Sequence, residues 1–241
     1  MPSPTATQTE TPRPALDRDR PAETETALLA LGCFWSPDAQ LGTLPGVVGT
    51  ASGYAGGTKP NPTYRALGDH TETVEVIFAP DRLSYEALLD VFFESHDPTR
   101  RSWKRQYRSA VFALTEDQRE AAEHAKRQRD RETSSTVRTD VEAVERPVRQ
   151  FHLAEGYHQN HRLRQHPAFE EVYEALFPEP AGFARSTAAS RVNGYASGYG
   201  PAEQLEREIG KLGLPDDLRG ELRRLHERGG QGSIWQRLFG A

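Results

Sequence analysis

The stretch Ala27-Leu28-Leu29-Ala30-Leu31-Gly32-Cys33-Phe34-Trp35-Ser36-Pro37-Asp38 joins an apolar, strand-like run to a helix-start signal. The run stops at Gly32. Ser36-Pro37-Asp38 then predicts a helix with Ser36 as N-cap, Pro37 at the first helical position and Asp38 in the first turn. Cys33 falls where the strand gives way to the helix. The partial positive charge of a helix N-terminus favours an anion beside it, so a thiol at this junction is expected to have a lowered pKa. An inert, buried thiol is the competing reading, because free cysteine is among the most buried residue types. Cys33 is the only cysteine of the 241 residues and has no internal partner for a disulfide.

Working outward, residues 26–31 read as a buried strand, 37–44 as a short helix closed by Pro45-Gly46, and Val47 to Tyr54 as a second strand. Gly53 to Tyr64 is dense in Gly and Pro, the punctuation of an irregular loop, and loops of that kind often carry function. From Thr71 the pattern alternates: Glu72, Val74, Val76 and Phe78 share one face, and Thr71, Thr73, Glu75 and Ile77 the other. Glu72 therefore points to the core side, where burial raises a carboxyl pKa toward the range of a catalytic acid. Half of an internal salt bridge is the alternative for this residue.

Ser84 caps an amphipathic helix that runs to Glu94, ahead of Asp97-Pro98. A strand over 108–114, a charged helix over 116–132 capped by Thr115, strands over 136–144 and 147–153, and a helix over 166–177 complete the pattern. The order predicts an α+β two-layer sandwich with a mixed or antiparallel sheet and flanking helices. Residues 1–25 have the composition of a disordered tail. Residues 26–180 form the main domain, and 181–241 read as a linker and a small helical extension, with helices near 201–211 and 215–228.

The formal charge of −5 speaks against a general nucleic-acid binder. No segment is long and apolar enough to span a bilayer, and the acidic start of the chain resembles neither a secretory signal nor a transit peptide. One cysteine and no disulfide framework fit a reducing cytosol. His152, Glu155, His158 and His161 imitate a metal cluster, but the zinc-binding spacing is absent and no metal is expected. His70 reads as an orienting or packing residue. Phe34, Trp35, Tyr64 and Tyr107 remain open, on the residues alone, between core aromatics and a binding site.

Six ordered motifs carry a resemblance: Gly32-Cys33-Phe34-Trp35, Gly53-Tyr54-Ala55-Gly56-Gly57, Pro60-Asn61-Pro62-Thr63-Tyr64, Asp69-His70-Thr71-Glu72, His96-Asp97-Pro98 and Gln106-Tyr107-Arg108-Ser109. With Ala154-Glu155-Gly156-Tyr157-His158-Gln159, they resemble the A-type peptide-methionine sulfoxide reductases over residues 26–180. The resemblance implies that fold and the reduction of the S epimer of methionine sulfoxide. Cys33 would be the nucleophile and become a sulfenic acid. Glu72 would be the acid, Tyr64 and Tyr107 the clamp on the sulfoxide oxygen, and Phe34 and Trp35 the pocket for the methyl group.

The chain also departs from the family. It lacks the late cysteines with which many members resolve the sulfenic acid, so reduction must come from an external thiol, either small or on a thioredoxin-like protein. Arg101-Ser102-Trp103-Lys104-Arg105 stands where many relatives have an acidic residue before Gln-Tyr, and the loop from Tyr64 to Glu72 is short. No bound cofactor is expected, the substrate is free or protein-bound methionine sulfoxide, and the enzyme is expected to be monomeric. A redox sensor or binding protein for oxidised methionine is the alternative. The extension from 181 leaves room for a docking module.

Overall fold

The computed structural model describes residues 13–144 and 150–229. Residues 1–12 of the expected tail, 147–149 of the last expected strand and 230–241 of the extension lie outside them. The strands are β1 (Glu25–Leu31), β2 (Val47–Ala55), β3 (Thr71–Phe78), β4 (Ser109–Ala113), β5 (Asp140–Ala143) and β6 (His152–Leu153). They make one sheet in the order β5-β4-β1-β3-β2-β6, in which only β4 and β5 are parallel. The expected mixed sheet is therefore what forms. The helices are α1 (Ala15–Arg18), α2 (Trp35–Leu41), α3 (Tyr85–Glu94), α4 (Glu116–Glu132), α5 (His161–Arg164), α6 (Pro167–Leu176), α7 (Pro180–Ala184), α8 (Thr187–Tyr195), α9 (Ala202–Glu208) and α10 (Asp216–Arg228).

Strand β1 is an unbroken apolar run because both of its faces are covered. Ala27 and Leu29 join Val74, Val76 and Val111 under Leu88 and Phe92 of α3, while Leu28 and Ala30 pack with Ala110 and Phe112 on the opposite side. The expected caps form: Ser84 accepts the Ala87 N–H, and Thr115 accepts the Gln118 N–H.

Three expectations are corrected. Helix α2 starts at Trp35 with Phe34 as N-cap, and Ser36 makes no capping bond. The Phe34 N–H donates instead to Glu72 Oε2 across 3.2 Å, a tertiary contact that supplies what Ser36 would have supplied locally. Second, the part of the tail from residue 13 is built into the fold. Asp17 in α1 accepts the N–H groups of Thr187 and Ala188 at 2.8 and 3.2 Å and the Ser186 hydroxyl at 3.0 Å, so it caps α8. Low apolar content hid this because the anchor is a polar one.

Third, the segment from 181 is no linker. Every residue of α8 is buried, and α8 packs against α2, β2, α5 and α10. Val192 and Tyr195 meet Leu163, Phe169, Tyr173, Leu205 and Leu222 in a second apolar core. Gly194 makes the approach possible, because a Cβ there would overlap the Thr43 side chain and the Ala39 carbonyl oxygen of the α2 region. Arg191 donates to the carbonyls of Gly42 and Val47, the latter at 3.0 Å, and so closes the C-terminal end of α2.

Asn193 ties this core to α2. Its Nδ2 donates to Asp38 Oδ2 at 3.1 Å, and its Oδ1 accepts the N–H groups of Arg162 and Leu163 at 2.9 and 3.2 Å. Burial pushes Asp38 up from 3.8 to about 6 despite hydrogen bonds with Thr50, Asn160 and Asn193. A raised carboxyl pKa costs stability as pH climbs through that interval, since the folded state then holds a proton that the unfolded state has lost. At about 1.4 kcal/mol per pKa unit the deficit approaches about 3 kcal/mol above pH 6. Asp38→Asn is neutral at every pH, so its stability relative to wild type is expected to rise by up to that amount between about pH 4 and pH 7.5. Urea unfolding of both proteins measures this, and an equal difference at the two pH values would refute it.

Candidate active site

Gly32, at φ +100°, turns the chain out of β1 and delivers Cys33 to the lip of the sheet. Cys33 is exposed. Its sulfur accepts the Trp35 N–H, which favours the thiolate, but burial of part of its surroundings and the charge of Glu72 outweigh that bond. The net direction is upward, against the expectation drawn from the helix N-terminus. The resting thiol is held protonated.

Glu72, in the second position of β3, is 1% exposed. Its Oε2 accepts the Phe34 N–H, and its Oε1 accepts the Gln106 carboxamide at 2.7 Å. Burial raises its pKa, and these two donors counter only part of the rise. Gln106 belongs to the 3-10 turn Arg105–Tyr107, which also carries Tyr107. The Tyr107 hydroxyl bonds to that of Tyr64, and desolvation, that bond and the nearby Glu72 and Cys33 hold its pKa well above the ordinary value. Tyr64 is 40% exposed at the surface of the loop. The structure thus brings Cys33, Glu72, Tyr64 and Tyr107 together.

The remaining two candidates lie on the flank of His158. The Trp35 Nε1–H donates to His158 Nδ1 at 3.1 Å, and its ring stacks on His161 at 3.8 Å and 6°. Phe34 is 2% exposed, with its ring 5.0 Å from His158 and 6.0 Å from Tyr54. It backs the aromatic cluster rather than opening onto a cavity. The Tyr64 ring lies 4.9 Å from His158. Desolvation lowers the His158 pKa, so the cluster is neutral.

Sequence reasoning gave no role to Gln106, Glu155 or His158. Glu155 accepts the Tyr54 hydroxyl at 2.8 Å and the Tyr64 N–H at 3.0 Å, which fixes the backbone of the Tyr64 loop. The same loop is held by Asp69, whose carboxylate accepts the N–H groups of Thr58 and Lys59 and stays low, at about 2. His70 accepts from the Gly57 N–H at 3.3 Å and bonds the Lys59 carbonyl at 2.8 Å, the orienting role expected of it. Ser102, in the run where the resemblance leads one to expect an acidic residue, spends its hydroxyl on the Lys104 carbonyl at 2.7 Å. Among the described residues no cluster of three or more His, Cys, Asp or Glu has metal-binding geometry, and no helix is long and apolar enough to cross a membrane.

Cys33 and Tyr107 also line a cavity of about 440 Å³, together with His96, Arg100, Arg101 and Trp103. His96 is bonded through both ring nitrogens, to the Phe92 carbonyl at 2.8 Å and to the Ser109 hydroxyl at 2.7 Å, and desolvation lowers its pKa.

Comparison with known proteins agrees with this geometry. The sequence model of the family described as peptide methionine sulfoxide reductase matches residues 25–189. A peptide methionine sulfoxide reductase of Drosophila melanogaster is 35% identical over 191 residues, covering 78% of this chain and 75% of its own length. Peptide methionine sulfoxide reductase A5 of Arabidopsis thaliana is 40% identical over 179 residues, covering 72% and 68%. The solved structure of methionine sulfoxide reductase A of Corynebacterium diphtheriae superposes with a TM-score of 0.53 at 32% identity, over 66% of this chain and 84% of that one. A buried acid at the neck of a strand-to-helix cysteine, on this sheet and with these relatives, places the chain in the peptide methionine sulfoxide reductase family.

Proposed function

We propose that this chain reduces methionine S-sulfoxide, free or within a polypeptide, through a sulfenic acid on Cys33 that an external thiol resolves. The observation that carries the reading is Glu72, buried and raised in pKa beside the exposed Cys33. A sulfoxide oxygen leaves only once it is protonated, and a carboxyl that is neutral at rest can donate that proton. As the Cys33 sulfur bonds to the sulfoxide sulfur, Glu72 protonates the oxygen, and the thiol proton passes to the Glu72 carboxylate; the hydroxyl then moves from the substrate sulfur to the Cys33 sulfur, breaking both the substrate S–O bond and the new S–S bond. The sulfoxide sulfur gains two electrons and Cys33 loses two. Cys33-SH and the sulfoxide become Cys33-SOH and the thioether. Tyr64 and Tyr107 hold the oxygen, while Trp35, backed by Phe34, packs the methyl group. The enzyme works as a monomer in a reducing cytosol, with a small thiol or a thioredoxin-like protein as reductant.

Dithiothreitol-driven turnover on the separated S and R epimers tests this. Multiple turnovers on S alone support it, and none on either epimer would replace it by the sensing or binding reading. Glu72→Gln is expected to lower kcat about 10²- to 10³-fold. Its wild-type counterpart should be fully active below the raised Glu72 pKa and lose activity as pH climbs through it, because only the neutral acid donates. In Glu72→Gln that alkaline loss should vanish. A profile that keeps it would take the acid role away from Glu72.

A further inference from the structure

We propose that the reductant is a low-molecular-weight thiol bearing carboxylates, received by Arg100 and Arg101 at the mouth of the Cys33 cavity. The proposal rests on the reductase reading and names the partner of its second half.

Cys33 is the only cysteine, so the thiol that attacks its sulfenic acid comes from another molecule. The attacking species is a thiolate, an anion. Burial, and to a smaller degree Glu72, makes the neighbourhood of Cys33 unfavourable for negative charge, as the raised pKa of the Cys33 thiol itself records. A field of opposite sign is needed on the approach side, and the 440 Å³ cavity has one: Arg100 and Arg101 line it, both are exposed, and neither forms a salt bridge among the described residues.

The one carboxylate in the lining, Asp97, is turned onto the Thr99 N–H at 2.9 Å and the Thr99 hydroxyl at 2.7 Å. Two further cations follow in the chain. Lys104 lies 4.4 Å over the Trp103 ring, and Arg105 is tied by hydrogen bonds to the carbonyls of Asp69 and Gly56. Arg100 and Arg101 are thus the guanidinium groups left for a ligand, and a guanidinium pairs with a carboxylate in a planar, two-pronged fashion. The cavity volume suits a small molecule. Neither Trp35 nor Tyr64 belongs to its lining, whereas Tyr107, the hydrogen-bond partner of Tyr64, does.

The chemistry balances in two steps. A first thiol attacks Cys33-SOH, forming a Cys33 mixed disulfide as the S–O bond breaks and water leaves with the thiol proton. A second thiol attacks that disulfide, releasing the small-molecule disulfide and Cys33-SH. Two thiols are oxidised for each sulfoxide reduced.

The test is a charge series at limiting reductant: mercaptosuccinate, 2-mercaptoethanol and cysteamine, each as a second-order rate constant per thiolate. It is run on wild type, the Arg100→Ala/Arg101→Ala variant and the Arg100→Lys/Arg101→Lys variant. In wild type at low salt, mercaptosuccinate is expected to exceed 2-mercaptoethanol at least about tenfold, with cysteamine slowest. That ratio should fall toward one in the alanine variant and in about 0.5 M salt, and be partly restored by lysine. Equal rates for the three thiols, or a preference unchanged by the double substitution, would overturn the proposal. So would faster reduction by a thioredoxin-like protein than by mercaptosuccinate, to the same degree in wild type and the alanine variant. A failure of the underlying reading looks different: wild type would not turn over with dithiothreitol at all.

Discussion

Cys33→Ser is expected to fold as wild type does and to lose turnover by at least about a thousandfold. Serine matches cysteine in shape, but its hydroxyl is a far weaker nucleophile without an adjacent base, and it cannot become a sulfenic acid. The site offers only weak bases at rest: Glu72 is held toward its neutral form, and His96 and His158 are hydrogen-bonded to neighbours with their pKa values lowered by burial. The side chain is exposed, so the change in stability should stay within about 0.5 kcal/mol. Two readings check this together. The thermal transition should be unmoved, and wild type mixed with the S-sulfoxide without reductant should gain one oxygen atom by mass while the serine variant gains none. Turnover by the serine variant would end the case for Cys33 as nucleophile.

Ending the chain at Pro180 is expected to abolish a cooperative fold rather than trim an accessory. The cut removes Phe183, Val192, Tyr195, Leu205, Leu212 and Leu222 from the second core and leaves Leu163, Phe169 and Tyr173 without their partners. Each large apolar side chain so exposed forfeits about 1.5–3 kcal/mol, and the three left behind forfeit a large share of the roughly 5–15 kcal/mol that holds an ordinary domain together. The cut also removes Asn193 and Arg191 from α2, leaving Asp38 buried against nothing that donates from α8. Circular dichroism should find no cooperative thermal transition in the fragment. A fragment that melts cooperatively and turns over with dithiothreitol would restore the docking-module reading of this segment.

The sequence and the structure part company for physical reasons that particular residues make plain. Strand β1, the turn at Gly32 and the inward face of Glu72 were legible because periodicity and a single glycine express them locally. The caps of α3 and α4 were legible for the same reason. The start of α2 was not, because its first N–H is satisfied by a residue 38 positions away. The pKa of Cys33 was misjudged in direction, since the helix end was weighed without the desolvation and the Glu72 charge that oppose it. Helix α8 was mistaken for a linker because Ser190, Asn193 and Gly194 are the residues of loops and also those of a close, polar helix contact. Glu155 and His158 stood in a recognised motif, yet their partners Tyr64 and Trp35 are 91 and 123 residues distant, beyond any local pattern.

The bond between Asp38 and Asn193 spans 155 residues of chain, and this distance has a meaning in time. A ribosome adding about 5–20 residues per second needs roughly 8–30 s to pass from one to the other. During that interval Cys33 has been synthesised, while the inner face of the helix that follows it still waits for α8. Nascent chains halted before residue 193 should therefore leave the inner face of α2 open, and the closed fold waits for α8 to emerge.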